Sequence, residues 1–582
     1  MNKKNLLRFA GLAAVLGSAA HAQTQVSANI TTNTQWTTAG SPYILNGIIY
    51  VTSGATLDIE PGVVIRGQPK SGVGATDPGT LIIARGSKIQ ARGTSSDPII
   101  FTTAALDAGK KAGGSANGLR HDGNADGVPD KWTPADGLAN FLDQNPASTP
   151  LAPVNSLGVS NSQLWGSLVL LGNASVNTRV DSIHDGIGTG GLVDGKAYLE
   201  GQNTNFFNEY GLITHTFDPG TGTYTDVTDV VNDDDNSGFL NYVSLRHGGF
   251  ELTPGKELNG LTLAGVGRGT TVRNIEIYCN SDDGVEIFGG TVNVSYIAVS
   301  FVEDDGFDLD QGHRGTAQFV YVAHGLKGSG TSFSSDPRGM ELDGDDQNDA
   351  NGQSLAVNGL PQQNSSIYNA TVQTLGQRGV VMRRGFRGEL VNSIIAQGGI
   401  AAETGIEIAG FTVAPSTNVQ QSYADRLLNV RNTTVNNYST GSTSITATPA
   451  LAGVPNVGVS TSFVATSNTG TNPGTSPTFF YAAPLNNALG AALFPNTTNN
   501  TANPDLLAIS IAASGFNPRP GSGPGNPSVL ATGGVQNSAY VRYPAVFTTY
   551  KGAFNASAPT LWTTGWTAVN KTNTNGIKLL VD

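Results

Sequence analysis

Short apolar runs, each four or five residues long and set between glycine-rich turns, recur along most of this chain. Residues 48–51, 81–84, 99–102, 168–171 and 319–323 are examples. Their length and spacing do not suit helices, so they predict β-strands. The best helical candidate is 133–142, with Thr133 as cap and Pro134 at the first helical position. Everything else reads as all-β.

One pattern returns in phase: a glycine followed by apolar, any residue, apolar. The copies are Ser281-Asp282-Asp283-Gly284-Val285-Glu286-Ile287-Phe288, Glu303-Asp304-Asp305-Gly306-Phe307-Asp308-Leu309-Asp310, Arg338-Gly339-Met340-Glu341-Leu342-Asp343, Arg378-Gly379-Val380-Val381-Met382-Arg383 and Thr404-Gly405-Ile406-Glu407-Ile408-Ala409. The glycines step by 22, 33, 40 and 26 residues. A second strand repeats with them, since Ile275 and Ile277 precede one glycine and Ile297 and Val299 the next. Two similar rungs open the domain at 54–57 and 86–89. A coil of about 22 residues with several strands is a parallel β-solenoid, whose turns bury their faces only by stacking. A β-sandwich would need hairpins between its strands instead. The expected fold is a right-handed parallel β-helix with long loop insertions and a C-terminal cap.

The chain resembles the right-handed parallel β-helix, or pectin-lyase-like, superfamily. Within it, the chain is similar to secreted bacterial β-helix proteins of poorly defined function. The resemblance is carried by Leu164-Trp165-Gly166 with 168–173, by 242–249, 257–265, 281–290, 303–310 and 368–372, and by the tail residues Tyr550, Gly552, Ala553, Phe554, Trp562, Gly565 and Trp566. It implies the fold and export.

Boundaries follow from composition. Lys3, Lys4 and Arg8 precede an apolar run at 9–16, and Ala20-His21-Ala22 is a small-x-small cleavage site, so 1–22 reads as a signal peptide. Residues 23–103 form the first rungs and 104–160 a Gly/Asp-rich insertion. The main β-helix spans 161–410, with a loop insertion at 174–238. Thr/Asn-rich irregular rungs and the cap fill 411–582. No other stretch is apolar enough to span a bilayer, so no transmembrane segment is expected in the mature chain. The expected location is extracellular or at the cell surface, or in the periplasm.

Charge narrows the partners. A net charge of −12 does not suit nucleic acid, whose phosphates need a basic face. Cys279 is the single cysteine, so no internal disulfide can form. The low charged fraction of 13% and the abundant glycine also exclude a coiled coil or helical bundle.

Two groups of residues carry candidate chemistry. Asp122, Asn124, Asp126 and Asp130 offer oxygens at loop positions 1, 3, 5 and 9, with Gly127 at the sharp turn, which suits Ca²⁺. The closing acid of an EF-hand would fall at Thr133, so the loop resembles thrombospondin-type or dockerin repeats instead. Asp233, Asp235, Ser237 and Gly238 form a weaker echo that reads as a turn.

The second group follows from the repeat. Alternation points the apolar residues inward and stacks Glu286, Asp308 and Glu341 on one outward row, with Asp310, Asp343 and Arg383 on the next. Such acids must recruit a cation, a proton or an arginine, and Arg378, Arg383, Arg384 and Arg387 are near. Glu286, Asp308, Glu341 and Arg378 are the expected polysaccharide contacts. Were the protein a lyase or glycoside hydrolase, Arg383, Asp310 and Asp343 would be its catalytic candidates. Asp282-Asp283 resembles the paired aspartates of polygalacturonase-like hydrolases, but His313-Arg314 departs from their Gly-His-Gly and no later Arg-x-Lys follows. The reading favoured is a Ca²⁺-binding surface protein that is structural, adhesive or polysaccharide-binding.

Overall fold

The computed structural model describes residues 23–68, 78–104, 164–181, 192–200, 205–218, 221, 223–253, 256–326, 337–344, 361–375, 377–384, 386–397, 405–408, 428–431, 433–436, 479–480, 506–509, 516–520, 546, 548 and 550–568. Ten strands build a front sheet in the order Ile48–Val51, Thr80–Ile83, Leu168–Leu171, Leu261–Ala264, Val285–Phe288, Phe307–Asp310, Arg338–Asp343, Arg378–Arg383, Ile406–Ile408 and Phe479–Phe480. Spatial order follows chain order, and every pairing but the last is parallel. The five repeat copies stack as the sequence predicts: Val285, Phe307, Met340, Val380 and Ile406 are successive partners. At or just before the start of four successive strands stands a glycine with no room for a side chain: Gly260, Gly284, Gly306 and Gly339. A Cβ on Gly306 would collide with the Val322 side chain and lie 2.6 Å from the Gly339 carbonyl oxygen.

The rest of each turn belongs to a second sheet of seventeen strands, bent in two. The first half of Gly238–Arg246 pairs with Lys88–Arg92 and its second half with Ile99–Thr103. The chain turns this corner at Tyr242, with φ of 49°. Asn274, Tyr296, Phe319, Asn369 and Asn392 make the same left-handed bend in later turns. Asparagine adopts that conformation readily, whereas aromatic residues do so at a cost. Stacking offsets it, since the Tyr296 and Phe319 rings lie 4.6 Å apart. The rungs at 54–57 and 86–89 also belong to this sheet: Thr56 pairs with Lys88 and Leu57 with Ile89. They are in phase with each other but not with the front-sheet copies.

Inside the coil, Leu263, Ile287, Leu309, Leu342 and Met382 from the front meet Ile275, Ile297 and Val320 from behind, all buried. Part of the insertion at 174–238 folds as antiparallel hairpins, among them Lys196–Tyr198 with Glu209–Gly211. These cover the outer surface of the front sheet and create a second apolar layer of Tyr50, Ile82, Val169, Leu171, Leu199, Tyr210 and Phe288. Beneath them Glu209 binds Arg85 at 2.5 Å and Lys196 at 3.1 Å.

The Thr/Asn-rich region contributes Leu428–Arg431 and Thr434–Asn436, which continue the bent sheet. The aromatic tail, expected to close the end of the coil, runs along its flank instead. Gly552 N–H donates to the Asn392 carbonyl, Trp562 packs on Tyr296 and Trp566 on Tyr242, so the tail passes back over earlier turns. Among the described residues, no helix is long and apolar enough to cross a membrane.

Candidate metal centre

One outward row runs the length of the front sheet: Tyr50, Ile82, Val169, Thr262, Glu286, Asp308, Glu341, Val381 and Glu407 are successive partners. Where the insertion covers it, the row is apolar; beyond the insertion it becomes acidic. The register expected for Glu286, Asp308 and Glu341 is therefore present. Their surroundings differ from a solvated surface, because the three are only 8%, 7% and 6% exposed. They point away from the coil's interior yet are buried.

The turns before the strands deepen the site. The Asp305 backbone N–H donates to Asp283 Oδ1 at 2.8 Å, and that of Arg338 donates to Asp305 Oδ1 at 2.5 Å. Each aspartate thus pins the next turn and brings its carboxylate beside the outward row. Oxygen atoms of Asp283, Glu286 and Asp308 lie within 4.8 Å of one another, as do those of Asp305, Asp308 and Glu341. A further trio joins buried Asp283 to half-exposed Asp282 and Asp304, which form a rim.

Arginines neutralise only the lower part. Arg338 Nη1 reaches Asp305 Oδ2 at 3.2 Å and Glu341 Oε1 at 2.7 Å. Arg383 binds Glu341 at 2.6 Å and Asp343 at 2.7 Å, and Arg384 binds Asp343 at 2.9 Å. Among the described residues, no lysine or arginine forms an ion pair with Asp283, Glu286 or Asp308. Asn259 Nδ2 donates to Glu286 Oε2, while Asp308 Oδ1 has no hydrogen-bond partner.

Two carboxylates one strand spacing apart, about 4.8 Å, repel by about 3.5 kcal/mol at an effective dielectric of 20. Burial, and then the neighbouring carboxylates, push Asp283, Glu286 and Asp308 well above the usual carboxylate range. Burial lifts Asp305 to about 7 against the pull of Arg338. Burial and Asp343 lift Glu341 to about 8 against Arg383. These buried acidic clusters can hold a metal ion, and an all-oxygen donor set selects a hard cation. The orphaned Asp308 Oδ1 fits that use.

The structure brings Asp343 and Arg383 together as an ion pair, while Asp310 Oδ1 accepts from the Gln311 backbone N–H at 2.7 Å. Arg378 sits at the far end of the row, 3.1 Å from Glu407, away from Glu286. Asp122, Asn124, Asp126 and Asp130, the 133–142 segment and residues 1–22 lie outside the described residues. The echo at 233–238 is a turn tied to the protein: Asp233 accepts from Ser175 Oγ at 2.6 Å and Arg314 at 2.8 Å, and Asp235 from Ser237 Oγ at 2.9 Å. Cys279 is buried, which raises its thiol and keeps it inert. His324 is buried and held near 4 by desolvation, with Nε2 against the Arg338 carbonyl at 2.7 Å.

Sequence reasoning missed Asp283, Asp305 and Arg338 as members of the site. The signal was a doubled aspartate before the glycine, recurring 22 residues apart. The stacked parallel strands define the chain as a parallel β-helix. More narrowly, the chain belongs to the pectate-lyase-like β-helix domain family, whose model matches residues 28–127 and 219–480. Neither the curated proteins nor the solved structures include a match to it.

Proposed function

We propose that the protein is an exported β-helix that holds Ca²⁺ in its buried acidic row and binds polysaccharide at the cell surface without cleaving it. The observation that carries this reading is the stack of Glu286, Asp308 and Glu341 with one carboxylate oxygen of Asp308 unpartnered. A cation there is a structural element, since the row is buried. Polysaccharide would meet the half-exposed side chains of Asp282, Asp304, Arg383 and Arg384. Family membership supports a role connected with polysaccharide and does not define the chemistry.

A second reading, a polysaccharide lyase, is favoured by the placement of Arg383 beside the acids. Removing a sugar-ring proton would need that arginine neutral, but Asp343 and Glu341 hold its guanidinium firmly protonated. The non-catalytic reading therefore stands first. Incubation with uronate and neutral glycans, in Ca²⁺, should give retention on at least one glycan and neither new reducing ends nor unsaturated products. Cleavage that disappears in Arg383→Ala would replace this reading with the lyase. For the loop outside the described residues, Asp126→Ala should weaken Ca²⁺ binding in calorimetry, and unchanged stoichiometry and affinity would make it an ordinary turn.

A further inference from the structure

The two buried carboxylate trios are not separate. Asp283, Glu286 and Asp308 enclose the space between one pair of stacked strands, and Asp305, Asp308 and Glu341 that between the next pair. Asp308 belongs to both. It is 7% exposed, and its Oδ1 has no hydrogen-bond partner. We propose that Asp308 bridges two divalent cations, one in each interval, so that the row holds a bimetallic pair rather than a single ion. The inference rests on the reading that this row takes a divalent cation.

Charge and spacing both support a pair. Among the described residues, the carboxylates of Asp283, Glu286, Asp305, Asp308, Glu341 and Asp343 face only the guanidiniums of Arg338, Arg383 and Arg384 within ion-pairing distance. One divalent ion leaves this group anionic. Counted with half-exposed Asp282 and Asp304 at the rim, the net charge is −5, and two divalent ions reduce it to −1. Ions in neighbouring intervals would lie roughly one strand spacing, ~4.8 Å, apart. Pairs of divalent ions shared by protein carboxylates commonly sit at about 3.5–4 Å. A carboxylate between them screens their repulsion, and Asp308 stands at that position. Each interval supplies two carboxylates of its own and shares Asp308, so water or backbone oxygens would complete the six to eight ligands of Ca²⁺.

Ca²⁺ counted on the intact chain by equilibrium dialysis tests this. Differences from wild type are compared, so ions bound elsewhere cancel. Asp308→Asn should lose two equivalents, and Glu286→Gln and Glu341→Gln one each. Loss of only one equivalent in Asp308→Asn would overturn the pair and leave a single-ion site. No loss would overturn the cation reading as well. Should a variant fail to fold, wild type supplies an independent result: Mn²⁺ in place of Ca²⁺ should give the paramagnetic resonance spectrum of a spin-coupled pair. A spectrum of magnetically isolated Mn²⁺ alone would overturn the proposal.

Discussion

Arg383 shows how far packing changes the meaning of a position. On sequence it belongs to an outward row, where a surface arginine contributes little. In the folded chain it is tied to Glu341 and Asp343, which are themselves buried. Arg383→Ala should lower stability by about 2 kcal/mol, the worth of hydrogen bonds to a charged group, read as a fall in the urea midpoint. A change below about 0.5 kcal/mol, the range of an ordinary surface substitution, would mean that Arg338 and Arg384 suffice alone. Alternation made the direction of Glu286, Asp308 and Glu341 legible. Their burial was not, because it depends on what covers the outer face, and no local pattern encodes that.

At the scale of elements, the strand-preceding glycine was the most readable feature, and its reason is a close approach between turns. Gly306→Ala should cost about 1–3 kcal/mol, as overpacking a filled core does, because Val322 and the Gly339 carbonyl occupy the space. Chemical denaturation measures this, and a neutral result would mean the corner can open. The tail was legible as aromatic and packed, but its place was not. Its partners Tyr242, Tyr296 and Phe319 lie more than two hundred residues earlier, on bends whose left-handed geometry is unusual for aromatic residues. Phe554 is buried against Tyr321 and Trp562. Phe554→Ala should therefore destabilise the whole coil by about 3–5 kcal/mol. A loss under ~1 kcal/mol would make the tail an independent appendage.

For the whole molecule, the repeat made the fold legible, because a solenoid is one unit stacked many times. Its acidic face gives an opposite stability trend with pH from that of ordinary salt-bridged acids. Unfolded Asp and Glu titrate near 4, whereas Asp305 and Glu341 are raised to about 7 and about 8. Between those values the folded chain holds more protons than the unfolded one, so these groups stabilise fully below about pH 4 and lose that contribution by about pH 8. In chelator, the melting temperature should fall from pH 5 to pH 8. A rise across that window would mean the acids are ionised and compensated in the metal-free fold.

A bound ion should reverse that loss, and at a hundredfold excess over its dissociation constant it adds about 2.7 kcal/mol. Asp308→Asn separates the two effects. It removes a charge from the repelling row and also removes the carboxylate shared by both trios. The most direct measurement is the melting temperature of wild type and Asp308→Asn at pH 8, each in chelator and in Ca²⁺. The variant should melt at or above wild type in chelator and gain much less from Ca²⁺. A variant that melts well below wild type in chelator, yet gains as much from Ca²⁺, would contradict a cation-binding acidic row.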